Sequence, residues 1–199
     1  MEKHISSQFD ADLTGVSSRV LELGGLVESQ TRHAVYSLAQ FSSEVANQVI
    51  ETERQVNTME VEIDAELASI IARRQPTARD LRLLMAISKI TGNLERVGDE
   101  ADRIARMVKQ ILEQGNPRNL PSTELRVASD LASALLRKSL DAFARLDVTT
   151  ALEILKEDDL IDAEFNGFMR KLVTYMMEDP RTISASLNLL FLAKAVERI

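Results

Sequence analysis

The 199-residue chain carries a formal net charge of −7, from 31 acids against 24 Lys and Arg, and is 45% hydrophobic but only 4% aromatic. With 7 Gly, 4 Pro and no Trp, it is poor in turn and strand material, so the expected class is all-α. The lack of Cys excludes a disulfide scaffold, thiolate metal sites and cysteine catalysis, and acids spread along the whole length leave no basic face for a nucleic-acid backbone.

Helical spacing of apolar residues begins near Ile5 and runs to Phe41 through Leu13, Val16, Val20, Leu23, Val27, Ala34 and Leu38, with Gly24-Gly25 as its expected weak point. Ser42-Ser43 offers capping hydroxyls for a second helix, whose series Val45, Val49, Val56, Met59, Ile63, Leu67, Ile70 continues to Arg74 and is stopped by Pro76. A third helix starts at Thr77-Ala-Arg-Asp80, with the seam Leu84, Ile87, Thr91, Leu94, Gly98, Ala101, Ala105, Val108, Leu112. The small residues in the middle of that seam let a neighbouring helix come close.

Gly115-Asn-Pro-Arg-Asn-Leu-Pro121 is the one segment dense in helix breakers. Three further helices follow it: one from Ser122 or Thr123 to Leu146, one opened by Asp147 and reaching Glu178, and one begun by Asp179-Pro180. The expected architecture is therefore two tandem three-helix bundles, residues 1–115 and 121–199, joined by a linker at 116–120, with the sixth helix cut short. Ser37-Leu38-x-x-Phe41 returns as Ser139-Leu140-x-x-Phe143, and Glu95-Arg96 as Glu197-Arg198, both after 102 residues. The register of the second helix against the fifth stays open, because a heptad pattern matches itself after slips of three, four or seven. A step of 102 pairs Glu60 with Asp162, and 98 pairs Glu60 and Asp64 with Asp158 and Asp162, whereas 105 pairs those two with Glu53 and Asn57.

Candidate chemistry lies in the acids. Five carboxylate pairs are spaced four apart, which is about what chance gives at this acid content, so the spacing alone carries no information. Position says more: Glu60, Asp64, Glu95, Asp99, Asp162 and Glu197 each follow a seam residue directly and so flank the bundle core, and Asp102 extends the Glu95–Asp99 stripe by a further turn. Carboxylates facing one another across a groove suit a hard or borderline cation such as Fe, Mn, Mg, Ca or Zn. Neither His4 nor His33 stands three residues after a Glu, as the Glu-x-x-His of carboxylate di-iron enzymes requires, and no phosphate loop or nucleophile arrangement can be assembled.

Ile70-Ile-Ala-Arg-Arg-Gln-Pro76, Asp80-Leu-Arg-Leu-Leu-Met-Ala-Ile-Ser88, Leu94-Glu-Arg-Val-Gly-Asp99, Leu172-Val-Thr-Tyr-Met-Met-Glu-Asp-Pro-Arg-Thr-Ile183 and Val196-Glu-Arg-Ile199 together resemble the PhoU family of bacterial phosphate-signalling regulators over essentially the whole chain. The resemblance implies two side-by-side three-helix bundles that hold metal through E(D)xxxD motifs. Glu95 and Asp99 match one motif, Asp158 and Asp162 another, and Glu197 the first position of a third, whose aspartate would follow Ile199. Glu53 matches a fourth with Asn57 in place of the second acid, a departure that Glu60 and Asp64 could offset from neighbouring turns. It also implies a non-enzymatic negative regulator of the phosphate-starvation response that couples the ATPase and membrane subunits of the phosphate ABC transporter to a sensor histidine kinase. The expected setting is the cytoplasm, at the inner membrane through these partners, as a homodimer. The competing expectation is a carboxylate-bridged di-metal enzyme on the same bundle.

Overall fold

The computed structural model describes residues 7–113 and 123–199 and builds them from six α-helices: α1 Ser7–Gln40, α2 Ser43–Arg74, α3 Ala78–Glu113, α4 Thr123–Arg145, α5 Val148–Glu178 and α6 Ile183–Glu197. The breaker run Gly115–Pro121, and with it the expected linker at 116–120, lies outside the described residues, as does the start of the chain. In each half the three helices pack on one another, and the halves meet through α3 against α6 and α1 against α4. Among the described residues no helix is long and apolar enough to cross a membrane.

Two matching corners set the register of the halves. At the first, Phe41 turns the chain with φ 49°, Ser42 N–H donates to Ser37 O at 3.0 Å, and Ser42 Oγ accepts from Val45 N–H at 3.3 Å. At the second, Leu146 has φ 54°, Asp147 N–H donates to Ala142 O at 2.9 Å, and Asp147 Oδ1 accepts from Thr150 N–H at 3.1 Å. In each corner a left-handed residue closes one helix and a polar cap opens the next, and the two corners stand 105 residues apart. Burial keeps the same step, pairing Val20 with Leu125, Val27 with Ala132, Val56 with Ile161, Ile63 with Phe168 and Leu67 with Leu172. Of the three registers that the sequence leaves open, the corners select 105, in which Glu53 answers Asp158 and Asn57 answers Asp162. The Ser-Leu-x-x-Phe echo at 102 is three residues out of step with it and is a heptad slip.

The third helices of the two halves do follow a step of 102, with Ile87 answering Leu189, Leu94 answering Val196 and Glu95 answering Glu197, all but the two glutamates buried. The path from Ile161 to Val196 is accordingly three residues shorter than the equivalent path from Val56 to Leu94. Gln75 in the left-handed region, φ 47°, ends α2 before Pro76, whereas Asp179 alone separates α5 from a 3-10 turn at Pro180–Thr182 that leads into α6. Asp179 caps that turn by accepting from Arg181 N–H at 3.0 Å, and Pro180 occupies a position where a missing N–H costs nothing.

Gly24-Gly25 proves to be no break, since α1 runs through it unbroken. Gly24 instead makes room for α4, because a Cβ there would collide with the Leu140 side chain. One apolar cluster joins Ala34, Leu38 and Ile104 of the first half to Leu125, Leu172 and Leu192 of the second, so the two bundles share a core. For this reason α3 is buried on two faces. Leu84, Ile87, Thr91, Leu94, Gly98, Ala101, Ala105 and Val108 form the expected seam, and Val97, Glu100, Ile104 and Ile111 form a second face that a single stripe does not foretell.

Candidate metal centre

The antiparallel run of α2 against α3 brings Glu53 beside Asp99 and Asp102, and Glu60 beside Glu95 one level further along. Glu53 is 6% exposed. Its Oε2 accepts a hydrogen bond from Gln30 Nε2 of α1 at 2.7 Å, and the same amide nitrogen lies 3.4 Å from Val49 O and 3.5 Å from Gly98 O. Gly98 makes this possible: a Cβ there would stand 2.9 Å from Glu53 Oε2 and 3.1 Å from Gln30 Oε1. A fully buried glutamine, a buried glutamate and the backbone of α3 thus meet at the one point of the seam that has no side chain.

The charge balance at this point is unfavourable. Burial first, and then the charges of Asp99, Asp102 and Glu95, push the Glu53 carboxyl above its ordinary range, against the Gln30 hydrogen bond that favours ionisation. Burial, Asp99 and Glu60 push Glu95 the same way. Asp102 Oδ2 accepts from Arg106 Nε at 2.6 Å, but Asp102 Oδ1, Glu53 Oε1 and Gln30 Oε1 are buried with no hydrogen-bond partner. Buried polar atoms are nearly always satisfied, so three orphans within one cluster set this point of the groove apart from the rest of the seam.

Contrast with other acid pairs of the same spacing sharpens this. Arg19 bridges Glu62 and Glu66, and Lys138 bridges Glu157, at 2.6 Å, and Glu153, at 3.9 Å. Those pairs are neutralised from the neighbouring helix. Among the described residues no salt bridge reaches Glu53, Glu95 or Asp99.

Of the expected site residues, Glu53, Glu60, Glu95, Asp99 and Asp102 come together. Asp64 is exposed further along the groove, where Ser88 Oγ donates to it at 3.5 Å. Asp158 and Asp162 are exposed on α5. Asp158 and Glu197 line a mainly apolar cavity of about 390 Å³ between α3, α4 and α5, whereas Asp162 does not, and Lys194 Nζ lies 2.5 Å from Glu197 Oε2. Among the described residues no three acids or histidines already stand as a ready-made metal cage. In the first-half cluster Asp102 is drawn off by Arg106, and Glu53 is held back by Gln30. The donor set itself, all oxygen and partly orphaned beside a glycine, fits a hard cation. Gln30 was not foreseen from the sequence, although a polar residue between Val27 and Ala34 on an otherwise apolar seam was the available signal.

Residues 20–108 and 125–199 each match the PhoU domain. The chain belongs to the PhoU family. The two matched segments begin 105 residues apart, the same step that the corners show. The chain is 45% identical over 199 residues to the phosphate-specific transport system accessory protein PhoU of Escherichia coli K12, covering 100% of this chain and 82% of that protein. It is 44% identical over 200 residues to the PhoU homolog of a Burkholderia species, covering 100% of this chain and 85% of that one. The crystal structure of PhoU from Pseudomonas aeruginosa superposes with a TM-score of 0.92 at 44% identity, over 96% of this chain and 90% of that chain. The phosphate transport system regulatory protein PhoU from Streptococcus pneumoniae gives 0.86 at 26% identity, over 96% and 88%. Both PhoU structures thus share the duplicated all-α architecture.

Proposed function

We propose that this PhoU-family protein is a non-enzymatic accessory regulator of phosphate transport, which represses the phosphate-starvation response when phosphate is plentiful. In this reading it works as a cytoplasmic homodimer that couples the ATPase and membrane subunits of a phosphate ABC transporter to a sensor histidine kinase. The observation that carries the proposal is the match of both halves to the PhoU domain, with relatives named as accessory proteins of the phosphate-specific transport system. The physical form agrees, because long helices locked over a shared core offer rigid faces for docking helices of other proteins.

The acidic groove enters the proposal as a cation site. Glu53, Glu95, Asp99 and Asp102 would hold the ion, and Glu60 would stand at its edge. A cation bound there would supply neutralisation of carboxylates that otherwise repel. The residues themselves do the rest: Glu53 ties the site to α1 through Gln30, and Asp99 and Asp102 tie it to α3, so that occupancy would fix α2 against α3.

Two measurements test the proposal. Deletion of the coding sequence is expected to switch on phosphate-starvation reporters in rich phosphate, and reporters that stay silent would refute the regulatory role. Elemental analysis is expected to find bound metal in the wild type and its loss in Asp99→Ala with the fold retained. Metal content that does not change would return the groove to the status of a solvated helix face.

A further inference from the structure

The solvent side of α3 carries a pattern that the acidic groove does not use. Arg82, Lys89, Arg96 and Arg103 recur every seven residues, which is two turns of helix, so the four cations form one row about 30 Å long. All four are exposed, and Met85, 49% exposed, stands between the first two. Among the described residues no salt bridge reaches Arg82, Lys89 or Arg96. The acid on this row, Glu100, is 7% exposed and already holds two guanidinium groups, Arg103 Nη1 at 3.0 Å and Arg198 Nη1 of α6 at 3.3 Å. Composition hides the row, since a net charge of −7 with acids along the whole length leads one to expect no basic face.

Arg198 carries the surface onto α6. At the 102-residue step that relates the third helices, Leu187, Phe191 and Arg198 take the places of Met85, Lys89 and Arg96, and all of them are exposed. Because Arg103 and Arg198 share the Glu100 carboxylate, the two exposed faces adjoin. Their joint surface mixes cations with large apolar side chains.

We propose that this joint face of α3 and α6 docks on the anionic headgroups of a lipid bilayer. The inference rests neither on the cation site nor on the protein partners proposed above. Charge complementarity is its first support, because each Lys or Arg held near an anionic leaflet strengthens binding about fivefold. The apolar side chains are the second: Phe and Leu beside cations are what an interfacial helix buries at the boundary of headgroups and acyl chains, whereas an acidic protein segment would meet only the cations. A straight, extended row also matches a flat array of headgroups better than it matches one small ligand. The negative net charge does not oppose docking, since the Debye length at physiological ionic strength is about 8 Å and the bilayer senses the nearest face.

The test is co-sedimentation of the full chain with phosphatidylcholine vesicles, with and without phosphatidylglycerol, at physiological ionic strength. The wild type is expected to sediment only with the vesicles that contain phosphatidylglycerol. Combined Arg82→Gln, Lys89→Gln and Arg96→Gln should weaken that binding at least about fiftyfold. A control of equal charge loss, Arg32→Gln, Arg54→Gln and Arg170→Gln on α1, α2 and α5, should bind within about twofold of the wild type. The chain has no Trp, so Phe191→Trp introduces a lone reporter, whose emission should move to shorter wavelength on the phosphatidylglycerol vesicles. No sedimentation of the wild type, equal losses in the two triple variants, or an unmoved emission spectrum on vesicles that do bind the protein would each overturn the proposal. Tighter binding to polyglutamate than to the vesicles would overturn it too, by assigning the face to an acidic protein.

Discussion

Glu53→Gln isolates the energetic cost of the buried carboxylate. In the wild type one oxygen accepts from Gln30 at 2.7 Å, the other has no partner, and the residue is 6% exposed beside Asp99 and Asp102. Leaving such a group buried and unsatisfied costs about 1–3 kcal/mol. The glutamine amide keeps an acceptor for Gln30, removes the charge, and presents an N–H₂ toward neighbouring carboxylates. In chelator at neutral pH the variant should therefore be more stable than the wild type by about 1–3 kcal/mol, a rise in Tm of about 2–12 °C for a chain of this size. Thermal unfolding followed by circular dichroism measures this directly. If the groove holds a cation as proposed, the order should narrow or invert with Mn²⁺ present. A variant that is less stable than the wild type in chelator would refute the reasoning, since it would show that the carboxylate contributes favourably to the core rather than being held there at a cost.

Other outcomes follow from the same geometry. Arg106→Ala frees Asp102 from an ion pair whose arginine is largely exposed, so apo stability should change by no more than about 1 kcal/mol while Mn²⁺ binds about two- to five-fold more tightly in calorimetry. Gly25→Ala meets nothing within 4 Å and should stabilise α1 by about 0.5–1 kcal/mol, whereas Gly24→Ala drives a methyl into Leu140 and should lose stability by up to about 2 kcal/mol, both by denaturant unfolding. Asp147 is held below the ordinary carboxylate range by the Thr150 backbone N–H and then by its hydroxyl. Its contribution is present above the unfolded-state pKa and lost as pH falls through the folded one, so Asp147→Asn, which keeps a capping oxygen but cannot titrate, should flatten the acid limb of the stability curve. Leu172→Ala, at a position 1% exposed in the shared core, should cost about 2–5 kcal/mol in the same unfolding assay.

The sequence by itself determined the elements. Periodicity of apolar residues, the caps at Ser42 and Asp147, the stop at Pro76 and the start at Asp179-Pro180 are local signals, and each acts within a turn or two of where it is written. The family was legible too, from blocks such as Leu94-Glu-Arg-Val-Gly-Asp99 in a fixed order. Tertiary structure alone decided the register between the halves, because a heptad repeat is degenerate to slips that only a corner can break. It also decided which acid pairs are neutralised: spacing made all five pairs equal, and the positions of Arg19 and Lys138 on neighbouring helices made them unequal. Burial of the second face of α3 depended on the other bundle packing against it. The pairing of Gln30 with Glu53 spans 23 residues in sequence and passes over Gly98, a further 45 along. No local pattern encodes that meeting, since it exists only where three helices come within reach of one another.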